Sequence, residues 1–304
     1  MNELPDDVWF QIFSLCDFPT LVRLRQVNRR FYDITNYLLY FKRKLVIDYS
    51  GEINRKTEKI RVNDADILLQ FLSKFTNNLT EITIGMIPIR ITMASLIQLA
   101  SAHPKLETLK FEQVKELPII EKDSLYALPY FKKLKHLKLK GWHTVDPKVR
   151  RVLGCAHRTD MLPFRGLIPL QTLIIECQKD TVANVLQEMR RNLVFLSNLK
   201  HIELLTHLSH VDLPGLLAWF LQSHCMLEKI YISGFLFASE AQVQRLYRSI
   251  LSLPQLQVVY LNNCKAIAAL DKSIGYQYLS EAFKLRIGAE GTVTSLRFVP
   301  EESP

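Results

Sequence analysis

The sequence predicts an α/β chain in two parts: a compact triplet of helices, then a stack of strand and helix units forming a curved solenoid of parallel strands. Three observations carry this expectation. Near the N-terminus, apolar residues recur at helical spacing and are cut into three runs by proline and capping residues. From Leu79 onward a short leucine pattern returns at a nearly constant interval. The chain, 304 residues and 48% hydrophobic, is long enough for a large core, and a solenoid adds length without enlarging a single globular one.

Val8, Ile12 and Leu15 lie at i, i+4 and i+7, one stripe of a first helix. Pro5, Asp6 and Asp7 suit its first turn, where a missing N–H is harmless and negative charge is favoured. Phe18-Pro19-Thr20 breaks the pattern, and Thr20 is the expected N-cap of a short helix from Leu21 to Leu24. Asn28 caps a third helix through Phe31, Ile34 and Leu38. Some forty residues are near the lower limit for a self-sufficient core, so either the following domain or a bound protein must cover part of this apolar surface.

The same residues resemble the F-box family: Leu4-Pro5, the acidic pair, Ile12 and Leu15, an aspartate, Leu21, Val27, and Arg29-Arg30 with an aromatic. The match runs from about Glu3 to Phe41, with Phe31 where tryptophan is commoner in the family. The resemblance implies docking on the Skp-type adaptor of a cullin-based ubiquitin ligase. It assigns Leu4, Pro5, Val8, Ile12, Leu15, Leu21, Leu24 and Val27 as adaptor-facing or as support for that face. A plain helical cap on the next domain is the structural alternative.

The repeated unit L-x-x-L-x-L, with Ile, Val or Phe allowed, begins at Leu79, Leu106, Leu134, Leu170, Leu199, Leu227 and Leu256, and more weakly at Val293. Successive starts are 27, 28, 36, 29, 28, 29 and 37 residues apart. The last two apolar positions alternate with polar ones, predicting half-buried strands near 82–84, 109–111, 137–139, 173–175, 202–204, 230–232, 259–261 and 296–298. Helices are expected between them. One runs from Asp180 as N-cap to Leu196, with Val182, Val185, Leu186, Met189 and Leu193 on one face. Another starts at a Ser239 capping box with Gln242 and presents Val243, Leu246, Tyr247 and Ile250. This part resembles the leucine-rich repeat family, whose longer repeats imply helices on the convex side. Cys264 reads as a buried small hydrophobe of that repeat.

The domain boundary is expected near Asp48, giving a helical domain over 1–48 and a repeat domain over 49–304, with Ile60 and Val62 as a capping strand. The two longest units carry inserts after Leu139, containing Trp142 to Pro147 and Arg150-Arg151, and after Leu261. These are either loops at a binding surface or drift in unit length.

A net charge of +9 and a pI near 9.2 permit acidic partners. Strand residues alternating with buried ones line the concave face: Lys110, His136, Lys138 and Lys140 as a basic patch, interrupted by Glu176 and Glu203, then Lys229 with Tyr231 beside Tyr260. A routinely solvated face is the alternative. Five dispersed cysteines without a C-x-x-C pair fit a reducing compartment better than a disulfide framework. An acidic start without an apolar leader and the lack of any span-length apolar run predict an intracellular protein of cytoplasm or nucleus with no membrane partner. His207, His210, Asp212, His224 and Cys225 match no closed zinc spacing, and neither a phosphate loop nor a nucleophile elbow is present, so no metal, cofactor or enzyme activity is expected.

The function so implied is a non-catalytic substrate receptor of a Skp-cullin-F-box ubiquitin ligase. Its partners are the adaptor, through it a cullin, and a protein substrate that is acidic or phosphorylated. An interaction scaffold without ubiquitylation is the first alternative. A basic nucleic-acid-binding repeat protein is the second, disfavoured by the mixed signs on the concave face.

Overall fold

The computed structural model describes residues 4–47 except 17 and 42, then 72, 76, 78–85, 92–112, 122–141, 164, 166–177, 179–209 except 192, 213–237, 240–262, 265–266, 284–287 and 295–299. It is an α/β structure built on parallel strands, and it divides into two compact units, residues 1–134 and 135–304.

The first unit opens with α1 (Asp6–Ser14), α2 (Phe18–Leu24) and α3 (Arg29–Phe41). Asn28 caps α3 as expected, its Oδ1 accepting the Phe31 N–H at 2.8 Å. Thr20 is not a cap, because α2 begins two residues earlier at Phe18. After α3 the chain enters β1 (Lys44–Ile47), followed by β2 (Glu81–Ile84), α4 (Met93–Ala102), β3 (Thr108–Glu112) and a 3-10 helix (Lys122–Tyr130). Strands β1, β2 and β3 pair in parallel, aligning Leu45 with Ile82 and Leu109, and Ile47 with Ile84 and Phe111. The strand that precedes the first repeat is therefore β1, within the expected helical domain. The expected capping strand at Ile60 and Val62 lies outside the described residues, as do the insert at Trp142 to Arg151, Ser239 and Cys264.

The second unit continues with β4 (His136–Lys140), β5 (Thr172–Glu176), α5 (Lys179–Arg191), β6 (His201–Ser209), α6 (Leu213–Gln222), β7 (Lys229–Phe237), α7 (Glu240–Leu251), β8 (Val258–Asn262), the short β9 (Lys265–Ala266), β10 (Lys284–Ile287) and β11 (Ser295–Val299). From β4 to β8 the pairing is parallel, with Leu137, Leu173, Ile202, Ile230 and Val259 in one buried row and Leu139, Ile175, Leu204, Ile232 and Leu261 in the next. The eighth expected strand forms but runs the other way. β11 is antiparallel to β8 and to β10, pairing Leu296 with Leu261 and Phe298 with Val259. Alternation fixes which face a residue takes, not which way its strand runs, and antiparallel neighbours need no helical crossover between them.

Two features repeat along the chain. The first is a turn: His103, Phe131, Leu167, Leu196, His224 and Leu253, each three residues before the leading leucine of a unit, offer their carbonyls to that leucine's N–H at 3.0–3.5 Å. All six side chains are buried. The second is a shared acceptor at the strand entrance. The carbonyls of Arg43, Thr80, Lys135, Gln171, Lys200 and Glu228 each take two successive N–H groups of the next strand at 2.7–3.1 Å.

Helix α5 ends earlier than its apolar spacing suggests. Leu193, expected on the buried face, is 67% exposed at φ +50°, while the Val194 N–H reaches back to the Met189 carbonyl at 2.9 Å. This is a Schellman ending with leucine where glycine is usual, and the buried Val194 supplies its apolar contact. Likewise Asp180 lies inside the first turn rather than capping it, since the helix starts at Lys179. Because the left-handed conformation costs a side-chain-bearing residue roughly 1–2 kcal/mol, Leu193→Gly should raise stability by about 1 kcal/mol in denaturant titration.

The two turn histidines are buried differently. In the second unit His224 accepts the Leu196 N–H at Nε2, 3.0 Å, and donates from Nδ1 to the Phe220 carbonyl, 2.6 Å, which fixes the neutral tautomer. In the first unit His103 has no hydrogen-bond partner at either ring nitrogen among the described residues. Burial lowers both from 6.5 to about 4. Above pH 6.5 both are neutral folded or unfolded. Between 6.5 and 4 the unfolded chain takes up protons that the folded chain refuses, so stability falls with falling pH, approaching roughly 3 kcal/mol per histidine at the lower end. Leucine occupies the same turn position three times, so His103→Leu should stabilise by about 1–3 kcal/mol at neutral pH and flatten the decline in melting temperature below pH 6.5.

Candidate functional site: an open apolar face on the N-terminal helices

Helices α1 and α3 share a small aromatic core. Trp9, Phe13 and Phe31 place their ring centroids 4.8–5.5 Å apart, with the Phe13 and Phe31 rings at 88°, edge to face. Arg30 of α3 ties the start of α1 to this core by pairing with Asp6 and donating to the Leu4 carbonyl at 2.7 Å. The pair is solvent-facing, so its role is orientation more than energy.

With the core satisfied by one side of α1, the other side is left to water. The spacing of Val8, Ile12 and Leu15 sets them off the Phe13 face, and Ile12 is 41% and Leu15 88% exposed. Leu4 at 44% and Val27 at 61% add to the open apolar surface, Pro5 is exposed, and Val8 and Leu24 are half-buried. Leu21, at 1%, belongs to the interior and supports the face from beneath. Single exposed apolar residues are ordinary, but four of them on one small helical triplet call for a cover.

A second apolar strip escaped the sequence reading. Phe10, Tyr37, Tyr40 and Phe41 are exposed and linked ring to ring, Phe10 to Tyr37 at 5.6 Å, Tyr37 to Phe41 at 4.6 Å and Tyr40 to Phe41 at 5.1 Å. The signal was available as an i, i+3, i+4 spacing of Tyr37, Tyr40 and Phe41, on the side of α3 away from the buried Thr35 and Leu39.

The residues expected to meet a substrate are distributed over the two units. In the first, Lys110 is held by Glu81 at 2.7 Å, and Glu81 is also approached by Lys44 at 3.1 Å. The Lys110 hydrogen bond is the main reason the Glu81 carboxyl stays below its usual range. In the second, His136 Nδ1 meets Thr172 Oγ1 at 3.0 Å and Lys140 pairs with Glu176 at 2.9 Å, so Lys110 and Lys140 each face a carboxylate of their own unit. Lys138 lies between them on β4. Tyr231 and Tyr260 stand opposite one another in register and their rings stack at 4.5 Å and 17°; Lys229 is exposed two residues before Tyr231. Among the described residues no three His, Cys, Asp or Glu side chains gather in a metal-binding group, and no helix is long and apolar enough to cross a membrane.

Residues 1–47 match the F-box-like family model and form an F-box-like domain, a kind of domain that generally binds Skp-type adaptors. No curated protein matches the chain. Among solved structures, an internalin (InlF) from Listeria monocytogenes is similar at 13% identity, over 83% of this chain and 91% of that one, with a TM-score of 0.23, a likeness that carries no argument.

The contrast between face and core is testable. Leu15→Asp should change unfolding free energy by less than about 0.5 kcal/mol, whereas Phe13→Ala should cost about 3–5 kcal/mol, both read from chemical denaturation.

Proposed function

We propose that the chain is the substrate-recognition subunit of a Skp-cullin-F-box type ubiquitin ligase. The observation that carries this reading is the open apolar face of Leu4, Ile12, Leu15 and Val27 on an F-box-like domain, a surface whose desolvation by an adaptor would be favourable. In this reading the repeats form a leucine-rich repeat solenoid with helices on its convex side, and the open strand face takes a protein substrate. The chain contributes no chemistry of its own. It raises the effective concentration of substrate lysines near a charged ubiquitin-conjugating enzyme, inside the cell, in cytoplasm or nucleus.

Affinity purification of the full chain should recover the Skp-type adaptor together with a cullin. Adaptor without cullin would assign a scaffold role instead. The double variant Ile12→Asp, Leu15→Asp places two carboxylates where water would be excluded. Each costs several kcal/mol there, so adaptor capture should fall by more than about 100-fold while the circular dichroism spectrum is unchanged. Undiminished capture would refute the adaptor-binding assignment.

A further inference from the structure

We propose that the aromatic strip of Phe10, Tyr37, Tyr40 and Phe41 is a self-association surface, and that its occupant is the same strip of a second copy of this chain, packed antiparallel about a two-fold axis. The inference goes beyond the adaptor reading and does not depend on it. At 3.6 residues per turn, Phe10 is about 140–160° around α1 from Val8, Ile12 and Leu15, so a partner seated on those residues meets the opposite flank of the helix and leaves the strip uncovered. The ring contacts that link the four side chains already hold them in place, so covering them gives up little rotamer freedom. Exposed tyrosine and phenylalanine ordered in this way suit the centre of a protein interface.

The charges at the two ends of the strip select the occupant. Helices α1 and α3 run in the same sense, since Arg30 meets Asp6 near their starts and Phe10 meets Tyr37 further along. Asp7 therefore precedes Phe10, and Asp33 precedes Tyr37, by one turn at the same end of the strip, and both are exposed. At the other end the exposed Arg43 follows Phe41 by two residues. Lys105 is brought beside Tyr40 through Asn78, whose Nδ2 donates to the Tyr40 carbonyl at 3.3 Å and whose Oδ1 accepts from Lys105 Nζ at 3.5 Å. Asp7, Asp33, Arg43 and Lys105 have no ion-pair partner among the described residues. A strip with acid at one end, rings in the middle and base at the other matches its own copy only when the two lie antiparallel, the isologous arrangement of a two-fold dimer. A parallel arrangement would set like charges together. The net +9 of each copy is screened beyond about 8 Å at physiological ionic strength, so the pairs in contact outweigh it. Tyr37 lies midway between Asp33 and Phe41, which puts it close to the axis.

The test is sedimentation of the purified full chain over a range of concentrations at physiological ionic strength, which should show a reversible monomer–dimer equilibrium. Reversing the acid end, Asp7→Lys with Asp33→Lys, or the base end, Arg43→Glu with Lys105→Glu, should weaken dimerisation by about tenfold or more, the worth of one charge-assisted contact. An equal mixture of the two reversed chains should form a heterodimer within about threefold of the native affinity, a recovery that misfolded chains could not produce. In a second measurement, Tyr37→Cys should join two chains by a disulfide in oxidised glutathione, scored above the native chain because Cys225 is exposed. A native chain that stays monomeric at every concentration would leave the strip to a different protein and overturn the proposal. A dimer that survives both reversals, a mixture no better associated than its components, or a Tyr37→Cys chain that cross-links no more than the native one would each overturn it as well.

Discussion

The rest of the structure depends on one recurring hydrogen-bond arrangement, a backbone carbonyl at the strand entrance that accepts two consecutive N–H groups from the following strand. It recurs at Arg43, Thr80, Lys135, Gln171, Lys200 and Glu228 at 2.7–3.1 Å. A carbonyl has two lone pairs, and spending both on neighbouring amides fixes where the next strand begins. That matters because a slip of one residue in a parallel pair would turn every leucine of the buried rows to solvent and every lysine and tyrosine of the open face inward. Register here is held from both directions, by the entrance carbonyl and by burial of the rows from Leu137 to Val259 and from Leu139 to Leu261.

From fixed register follows the separation of roles. The buried rows and the helical faces of Val182, Leu186, Leu217, Phe220, Leu246 and Ile250 share one apolar interior. The opposite strand face is left free to vary in chemistry without disturbing the stack, which is why cations, carboxylates and tyrosines can stand there side by side. The N-terminal helices follow the same division on a smaller scale: Trp9, Phe13 and Phe31 satisfy the interior, and Ile12 and Leu15 remain outside it.

Much of this was legible in the sequence. The strand positions, the parallel order from β4 to β8, the cap at Asn28 and the pairing of Tyr231 with Tyr260 all follow from the period and the alternation of single residues. What was not legible has identifiable causes. β1 was missed because Lys42 stands where the seven units from Leu79 to Leu256 have their leading leucine, so the pattern reads as a charged junction. The turn position three residues before that leucine was missed because it alternates among histidine, phenylalanine and leucine, and only burial reveals their equivalence. The end of α5 was misjudged because an apolar Leu193 at helical spacing does not announce a left-handed backbone. The reversed direction of β11 is a property of the connection, not of the residues within the strand.

Between the last helical residue, Phe41, and the first strand residue, Lys44, there are two residues, one of them the Arg43 whose carbonyl already holds β2. A joint this short has almost no slack to lose on association. Whatever grasps the helices therefore grasps the opening strands as part of the same solid lever, and the distance from that grip to the first repeats is set by bond geometry instead of the statistics of a tether.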